Sequence, residues 1–284
     1  MTGQVIDNLL SVEQLHSIPA VELLLVDCRF NLMQPEAGSQ LFLESHLPAA
    51  VYAHLDDDLA APVTPQSGRH PLPESSSFAR FLSECGWRPG QLVVAYDDAG
   101  GAIAARLWWL MKYFGIQEVA LLDGGYQAWV QAGFELESGQ AKSQKTPLPI
   151  LQPQTDLVVS TAQVLADLKL QNLNVVDARA KARFAGEVEP IDTKAGHIPG
   201  SLNHPFDHNL DQAGRFKSGA DIRKAFQASL GEAQPASMVH MCGSGVTACH
   251  NLFAAELAGF KGSRLYVGSW SEWITDDSRP VAVD

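Results

Sequence analysis

HMCGSGVTA, at residues 240–248, places one cysteine, two glycines and two hydroxyl residues between an apolar run and a helical pattern. The apolar run ends at Val239, and the helical pattern continues to Leu257. A strand that ends at Cys242 and turns through glycines into a helix puts sulfur near the positive end of a helix dipole. Successive backbone N–H groups in such a loop bind anions, so both effects favour thiolate, the nucleophilic form. The motif predicts a nucleophilic Cys242, against the alternative of a small buried cysteine beside a tight turn.

The same motifs occur twice along the chain, in the same order. The matching pairs are LVDCR 25–29 with VVDAR 175–179, HLP 46–48 with HIP 197–199, and DGGYQAW 123–129 with VGSWSEW 267–273. A repeat of this length indicates a duplicated domain rather than a short solenoid unit. At the position that matches Cys242 the first half has Asp97, so only the second half carries the nucleophile.

Length and patterning predict two α/β domains. The 284 residues, 46% of them hydrophobic, are enough for two cores. We expect an N-terminal domain at 1–140 that lacks a nucleophile, a polar linker at 141–155 and a catalytic domain at 156–284. Short β-branched runs alternate with helical patterns, which predicts mainly parallel sheets with helices on their faces, and ligands beyond the carboxyl ends of the strands.

The pattern predicts individual elements as well. Strands are expected at 23–28, 91–96, 119–122, 174–178, 238–241 and 264–267. Helices are expected at 75–85, 103–114, 127–132, 160–170, 219–230 and 246–258.

Charge and cysteine usage exclude several classes of function. A net charge of −12 argues against nucleic acid or an anionic membrane as a partner. The sequence has no apolar run long enough to cross a bilayer, and residues 1–8 lack a signal pattern, so a cytoplasmic location is expected. The four cysteines form no Cys-x-x-Cys pair and no zinc spacing, which indicates free thiols and predicts neither a metal nor a cofactor.

These motifs together resemble the two-domain rhodanese sulfurtransferases. The resemblance rests on the Asp-x-Arg strand ends, GHIPG at 196–200, the Cys242 loop and GSWSEW at 268–273, and it spans about residues 5 to 281. The loop CGSGVT is similar to that of the 3-mercaptopyruvate-type members, whereas thiosulfate-preferring members typically carry basic residues where Gly243 and Ser244 stand. The resemblance implies that Cys242 takes sulfur from mercaptopyruvate as a persulfide. The sulfur then passes to a thiol, such as that of a thioredoxin-like protein, or to cyanide.

The resemblance also implies roles for further residues. In mercaptopyruvate-type relatives the loop serine acts with a histidine and an aspartate, which match Ser244, His70 and Asp56. The alternatives are that Ser244 caps the turn and that His70 and Asp56 are ordinary loop residues.

A donor carboxylate needs cationic or N–H partners, and Arg183 matches the substrate-binding arginine of the family. Relatives often carry a second arginine where this chain has Ile191, so Lys194, Arg69 or backbone N–H groups are the alternatives expected to substitute. The remaining predicted substrate-binding positions are those of the loop, Gly243, Gly245, Val246 and Thr247; the hydroxyl of Thr247 has the alternative role of capping the following helix.

Several conspicuous residues are expected to be structural. Arg29 and Arg179 follow an aspartate by two residues and should pair with it, and His197 lies in a motif that the first half shares. The other expected packing residues are Cys28, Cys85, Cys249, Trp270 and Trp273.

Three other functions compete with the mercaptopyruvate prediction. A thiosulfate sulfurtransferase is the nearest, but the uncharged residues Gly243 and Ser244 give a dianion no partner. A non-catalytic rhodanese-like binding module is the second alternative; it fits the first half, but Cys242 and its glycine loop argue against it for the whole chain. A cysteine phosphatase needs an arginine six residues after the cysteine, where this chain has Ala248. Arg69, His70 and Cys242 can act together only if the two halves of the sequence meet.

Overall fold

Two five-stranded parallel sheets organise the computed structural model, which describes residues 8–231 and 234–284. Residues 1–7, on which the expectation of no signal segment largely rests, lie outside the described part.

The first sheet has the strand order β1-β5-β4-β2-β3. Every ladder in it is parallel. Its strands are β1 Leu9–Leu10, β2 Leu23–Asp27, β3 Val51–Tyr52, β4 Leu92–Tyr96 and β5 Val119–Leu122. The three longest consist mainly of leucine, valine and alanine and are almost wholly buried, as strands covered on both faces require.

The second sheet repeats this topology in the order β6-β10-β9-β7-β8, again with parallel ladders throughout. Its strands are β6 Val158–Val159, β7 Asn174–Asp177, β8 Leu202–Asn203, β9 Met238–Met241 and β10 Arg264–Tyr266. The predictions of a duplicated α/β fold and of mainly parallel sheets are confirmed.

Ten α-helices accompany the sheets in the described residues. They are α1 Val12–Ser17, α2 Ala37–Glu44, α3 Ser75–Glu84, α4 Ala104–Tyr113, α5 Gly125–Gln131, α6 Thr161–Asp167, α7 Lys181–Ala185, α8 Gly219–Leu230, α9 Thr247–Leu257 and α10 Ser269–Trp273. All twelve predicted elements are present, with ends within three residues of the prediction. Four strands of two residues each and helices α1, α2, α7 and α10 were not predicted; all of these except α2 have six residues or fewer, too few to show a period.

The contacts divide the chain into two compact units. The first comprises the chain up to Leu59, Pro73–Pro153 and Ala213–Arg215. The second comprises Ala60–Leu72, Gln154–Gln212 and Phe216–Asp284. Arg69 and His70 therefore belong to the same unit as Cys242, although they lie in the first half of the sequence. The boundaries at 140 and 156 stay a prediction.

An ion pair between residues two positions apart lies at the end of β2 in the first sheet and of β7 in the second. Arg29 Nε donates to Asp27 Oδ2 over 2.9 Å, and Arg179 Nε donates to Asp177 Oδ2 over the same distance. All four side chains are buried. The guanidinium of Arg179 also lies over the Trp270 ring, 4.7 Å from its centroid. The prediction that both arginines make structural pairs is confirmed.

The histidine of the GHIPG motif is also structural. His197 Nδ1 lies 2.8 Å from the Phe184 carbonyl oxygen, and the two rings stack at 3.9 Å. His46 repeats this arrangement with Phe42 in the first unit. Trp270 and Trp273 are fully buried in the second core.

No helix among the described residues is long and apolar enough to cross a membrane.

Candidate active site

Cys242 directly follows β9, the central strand of the second sheet, and its side chain is only 2% exposed. Its sulfur accepts hydrogen bonds from the backbone N–H groups of Gly245 and Ser244, with N···Sγ distances of 3.1 Å and 3.5 Å. Gly245 has a φ of +79°, and a Cβ there would lie 2.6 Å from the Val267 carbonyl oxygen, so the turn requires glycine. Two N–H groups directed at one sulfur stabilise negative charge on it.

The backbone of Cys242 is held by the start of α10. Ser269 Oγ accepts the Cys242 N–H at 3.1 Å and donates to the Tyr266 carbonyl at 2.9 Å. Trp270 N–H donates to the Cys242 carbonyl at 3.0 Å. Ser269 adopts a φ of +53°, rare for a residue with a side chain. The sequence analysis missed Ser269, although the matching position in the first half is Gly125, with a φ of +56°.

Ser244 and His70 are in direct contact. Ser244 Oγ lies 2.7 Å from His70 Nδ1, and both side chains are buried. The contact joins residues 174 positions apart in the sequence. Asp56, the third residue of the predicted relay, is half-buried and belongs to the first unit.

Arg183 is held by two carboxylates that the sequence analysis did not identify as functional. Its Nη2 donates to Glu189 Oε1 at 2.7 Å and to Asp192 Oδ2 at 3.2 Å, and its Nε donates to Glu189 Oε2 at 3.2 Å. Arg69 Nη1 pairs with the other oxygen of Asp192. The backbone N–H of Arg69 donates to Ser271 Oγ at 3.1 Å, which ties this segment to α10.

The pKa values of the two carboxylates move in opposite directions. Burial acts to raise the pKa of Glu189, but hydrogen bonds from Arg183 and from the backbone of Asp192 and Ile191 outweigh it and hold that pKa below its usual range. Burial raises the pKa of Asp192, against the opposing charges of Arg69 and Arg183 and with the help of nearby Glu189.

Both arginines approach the nucleophile loop at Gly243. A Cβ at Gly243 would lie 2.8 Å from Arg69 Nη2, 3.6 Å from Arg183 Nη2 and 3.7 Å from Arg183 Nη1. The guanidiniums therefore stand against the residue next to Cys242, a place suited to the anionic end of a substrate. Lys194, the other predicted substitute, instead pairs with Asp277.

The start of α9 differs from the expected capping. Val246 is the N-cap residue and its side chain makes no capping hydrogen bond, while Thr247 is the first helical residue. The loop N–H groups of Ser244 and Gly245 point at sulfur instead. Val246 is buried and Thr247 half-buried, so the loop is only partly open to solvent.

The rhodanese-like domain model matches two stretches of the chain, residues 11–132 and 160–276. The chain belongs to the rhodanese family. It is 47% identical to the "Probable 3-mercaptopyruvate sulfurtransferase" of Pseudomonas aeruginosa over 278 residues, which cover 97% of this chain and 98% of the relative. It is 33% identical to the thiosulfate sulfurtransferase of Bos taurus, over 82% of this chain and 78% of the relative.

A solved rhodanese structure is similar to the whole chain. SseA from Escherichia coli, described as a 3-mercaptopyruvate sulfotransferase, aligns with a TM-score of 0.81 and 28% identity. The alignment covers 93% of this chain and 99% of that one. Membership of this family of sulfurtransferases makes the chain a transferase enzyme, which confirms the resemblance found in the sequence.

In the first rhodanese domain the loop after β4 holds a carboxylate where the second holds sulfur. Asp97 follows β4, the central strand of its sheet, as Cys242 follows β9. Its Oδ1 accepts N–H groups from Ala99 and Gly101, and its Oδ2 accepts those of Ile103 and Ala104, all at 2.8–2.9 Å. The side chain thus fills the anion-binding loop of its own domain.

The remaining cysteines are packing residues, as predicted. Burial raises the pKa of the Cys28 and Cys85 thiols, with nearby carboxylates as a smaller cause in the same direction. Both thiols are therefore poor nucleophiles. Cys249 is fully buried on α9 and donates to the Gly245 carbonyl at 3.3 Å.

Proposed function

We propose that this chain transfers sulfane sulfur from 3-mercaptopyruvate to a thiol or cyanide through a persulfide on Cys242. The observation that carries the proposal is the buried Cys242 sulfur, held by two loop N–H groups beside two guanidiniums. The 47% identity to a relative named for this donor supports the choice of substrate.

The first half-reaction forms a sulfur–sulfur bond. The Cys242 thiolate attacks the mercaptopyruvate sulfur, and the carbon–sulfur bond breaks with its electron pair remaining on carbon as the enolate of pyruvate. A proton then adds to that carbon and gives pyruvate. The donor sulfur is oxidised to the sulfane level and the carbon is reduced. The loop N–H groups of Ser244 and Gly245 stabilise negative charge on the sulfur before attack and on the persulfide after it.

His70 and Ser244 handle the proton in this proposal. The thiol proton of the donor must leave as sulfur is attacked, and a histidine that contacts Ser244 Oγ at 2.7 Å is suited to receive it through the hydroxyl. Asp56, the third residue of the predicted relay, stays a prediction. The variant His70→Gln should lower kcat and change the pH profile of mercaptopyruvate transfer. An unchanged pH profile would contradict the proposed role of His70 and Ser244 in proton transfer.

Arg183 and Arg69 bind the donor carboxylate in this proposal. The nitrogens that approach Gly243 lie next to the nucleophile, as a substrate of only three carbons requires. Arg69 thus takes the place expected of the arginine that Ile191 replaces. Lys194 has an exposed carboxylate as its partner and is assigned no direct contact with substrate.

The second half-reaction returns the enzyme to its starting state. An acceptor thiolate attacks the outer sulfur of the persulfide and leaves Cys242 as the thiolate, while cyanide as acceptor gives thiocyanate. Neither half-reaction needs a cofactor. A thioredoxin-like protein thiol is the proposed acceptor, and a reducing cytoplasm, which keeps four unpaired cysteines as thiols, is the proposed location.

Thiosulfate is the alternative donor. The specific observation in its favour is that two guanidiniums, rather than one, approach Gly243, and the bovine relative is named for thiosulfate. The thiolate would attack the outer sulfur and release sulfite. Against it, each of these guanidiniums already pairs with a carboxylate.

The test is parallel kinetics with both donors and intact-protein mass spectrometry. We expect a higher kcat/KM for mercaptopyruvate and one added sulfur atom after donor treatment without acceptor. Cys242→Ser should abolish both, while the matched variant Cys249→Ser should retain them. A higher kcat/KM for thiosulfate would overturn the donor assignment alone. Sulfur addition that persists in Cys242→Ser would overturn the nucleophile, and no transfer by the folded wild type would indicate a binding module.

A further inference from the structure

We infer that Asp192 determines donor specificity, because its charge at the arginine pair discriminates against dianionic donors in favour of monoanionic ones. This inference rests on the proposed function and concerns a residue that touches neither the nucleophile nor its loop in the described contacts.

Asp192 joins the two arginines that face the loop. Its Oδ2 accepts from Arg183 Nη2 at 3.2 Å, its Oδ1 pairs with Arg69 Nη1, and its side chain is only 5% exposed. Water screens the charge of a carboxylate little when it is shared by two guanidiniums at such burial.

The pairing leaves the loop-facing nitrogens available. Arg69 Nη2 and Arg183 Nη1 approach Gly243, and neither donates a hydrogen bond to any residue within 8–231 or 234–284. Asp192 therefore occupies Arg69 Nη1 and shares Arg183 Nη2 with Glu189, while Arg69 Nη2 and Arg183 Nη1 stay available at the Cys242 loop. A donor anion bound to these available nitrogens is separated from the Asp192 carboxylate by one guanidinium group.

The charges of the connected network cancel. It contains three guanidiniums and three carboxylates, those of Arg69, Arg179, Arg183, Asp177, Glu189 and Asp192. A monoanionic donor brings one uncompensated charge to this neutral network, and a dianion brings two. Repulsion by a fixed carboxylate is twice as large for the dianion, because Coulomb energy scales with the product of the charges.

The experiment compares donor ratios in a variant that removes the charge and keeps the shape. Asp192→Asn should raise the kcat/KM of thiosulfate relative to that of mercaptopyruvate on the order of tenfold, equivalent to about 1.4 kcal/mol. Asp192→Glu retains the charge and should keep the wild-type ratio. If Asp192 only positions the arginines, Asp192→Asn lowers kcat/KM for both donors together and leaves their ratio unchanged. That result would overturn the inference.

Asp277→Asn is the matched control. Asp277 is exposed and pairs with Lys194, so the variant changes the net charge of the chain equally without touching the network. Its donor ratio should equal that of the wild type. An equal rise in this variant would show that net charge, and not Asp192, sets the ratio.

Inhibition of the wild-type enzyme tests the inference without any variant. Methanesulfonate and sulfate are tetrahedral anions of similar size that differ by one charge. We expect methanesulfonate to inhibit mercaptopyruvate transfer at least as strongly as sulfate does, and sulfate inhibition that is tenfold stronger would overturn the inference. A wild type that transfers sulfur from neither donor would overturn the proposed function instead.

Discussion

Arg183 is the residue on which recognition of the donor carboxylate most directly depends in the proposed mechanism. Removing a charge-assisted hydrogen bond to a substrate typically costs about 1.5–3 kcal/mol. We therefore expect Arg183→Ala to lower kcat/KM for mercaptopyruvate roughly ten- to hundredfold. Glu189 keeps Arg179 as a partner at 3.4 Å in this variant, so its carboxylate does not become unpaired.

Steady-state kinetics with Lys194→Ala as the control tests the Arg183 prediction. The Lys194→Ala variant also removes a cation near the same segment. Because Lys194 pairs with the exposed Asp277, its replacement should leave kcat/KM near the wild-type value. Unchanged mercaptopyruvate kinetics in a folded Arg183→Ala variant would contradict the carboxylate role.

Strand-to-helix loops are the elements in which the two domains differ most in chemistry. In the second domain two N–H groups of the loop are directed at the Cys242 sulfur, whereas in the first domain four N–H groups donate to the Asp97 carboxylate. A buried acceptor of four N–H groups contributes to stability, because each donor would otherwise be left without a partner.

We expect Asp97→Asn to lower the urea midpoint, with a loss of stability of about 1.5–3 kcal/mol, because an amide nitrogen faces two of the N–H donors. Denaturation followed by tryptophan fluorescence measures the change. The neighbouring variant Asp98→Asn, at an exposed side chain, is the control and should keep the wild-type midpoint. Equal midpoints for all three proteins would show that the carboxylate does not stabilise its loop.

Acid stability is a property of the whole molecule to which buried histidines contribute. Burial lowers the pKa of His240 to about 3 and that of His204 to about 4. In the unfolded chain a histidine titrates near about 6.5. Below that pH the unfolded state binds protons that the folded state does not, so the stability present above about pH 6.5 is lost as pH falls toward the folded pKa.

His240 offers the clearest test of this linkage. Neither of its ring nitrogens has a hydrogen-bond partner in the part of the chain that the structure describes. The variant His240→Leu should weaken the decline of unfolding free energy between about pH 6 and pH 4, by about 1.4 kcal/mol per pH unit. Urea denaturation at several pH values measures it, with exposed His16→Asn as a control that keeps the wild-type decline. A parallel decline in wild type and His240→Leu would contradict the prediction.

Structural features that depend on residues close together in the chain could be predicted from the sequence. The central strands, the longer helices and the Asp-x-Arg pairs all depend on residues a few positions apart, where chain geometry leaves little choice. The repeat extended this reasoning to the whole chain, since one set of local patterns written twice requires one topology twice. The fold could therefore be predicted, and so could the position of Cys242 at the end of the central strand of the second sheet.

The resemblance to relatives had matched His70 with Ser244, but only the tertiary structure decided which distant residues are in contact around Cys242. His70 meets Ser244 across 174 positions and Arg69 meets Asp192 across 123, while the segment Ala60–Leu72 joins the unit of the second half. No local period specifies such contacts, because their positions depend on how whole sheets and loops pack. Asp192 gave no signal in the sequence, since a carboxylate becomes a specificity element only when folding places it, buried, between two guanidiniums.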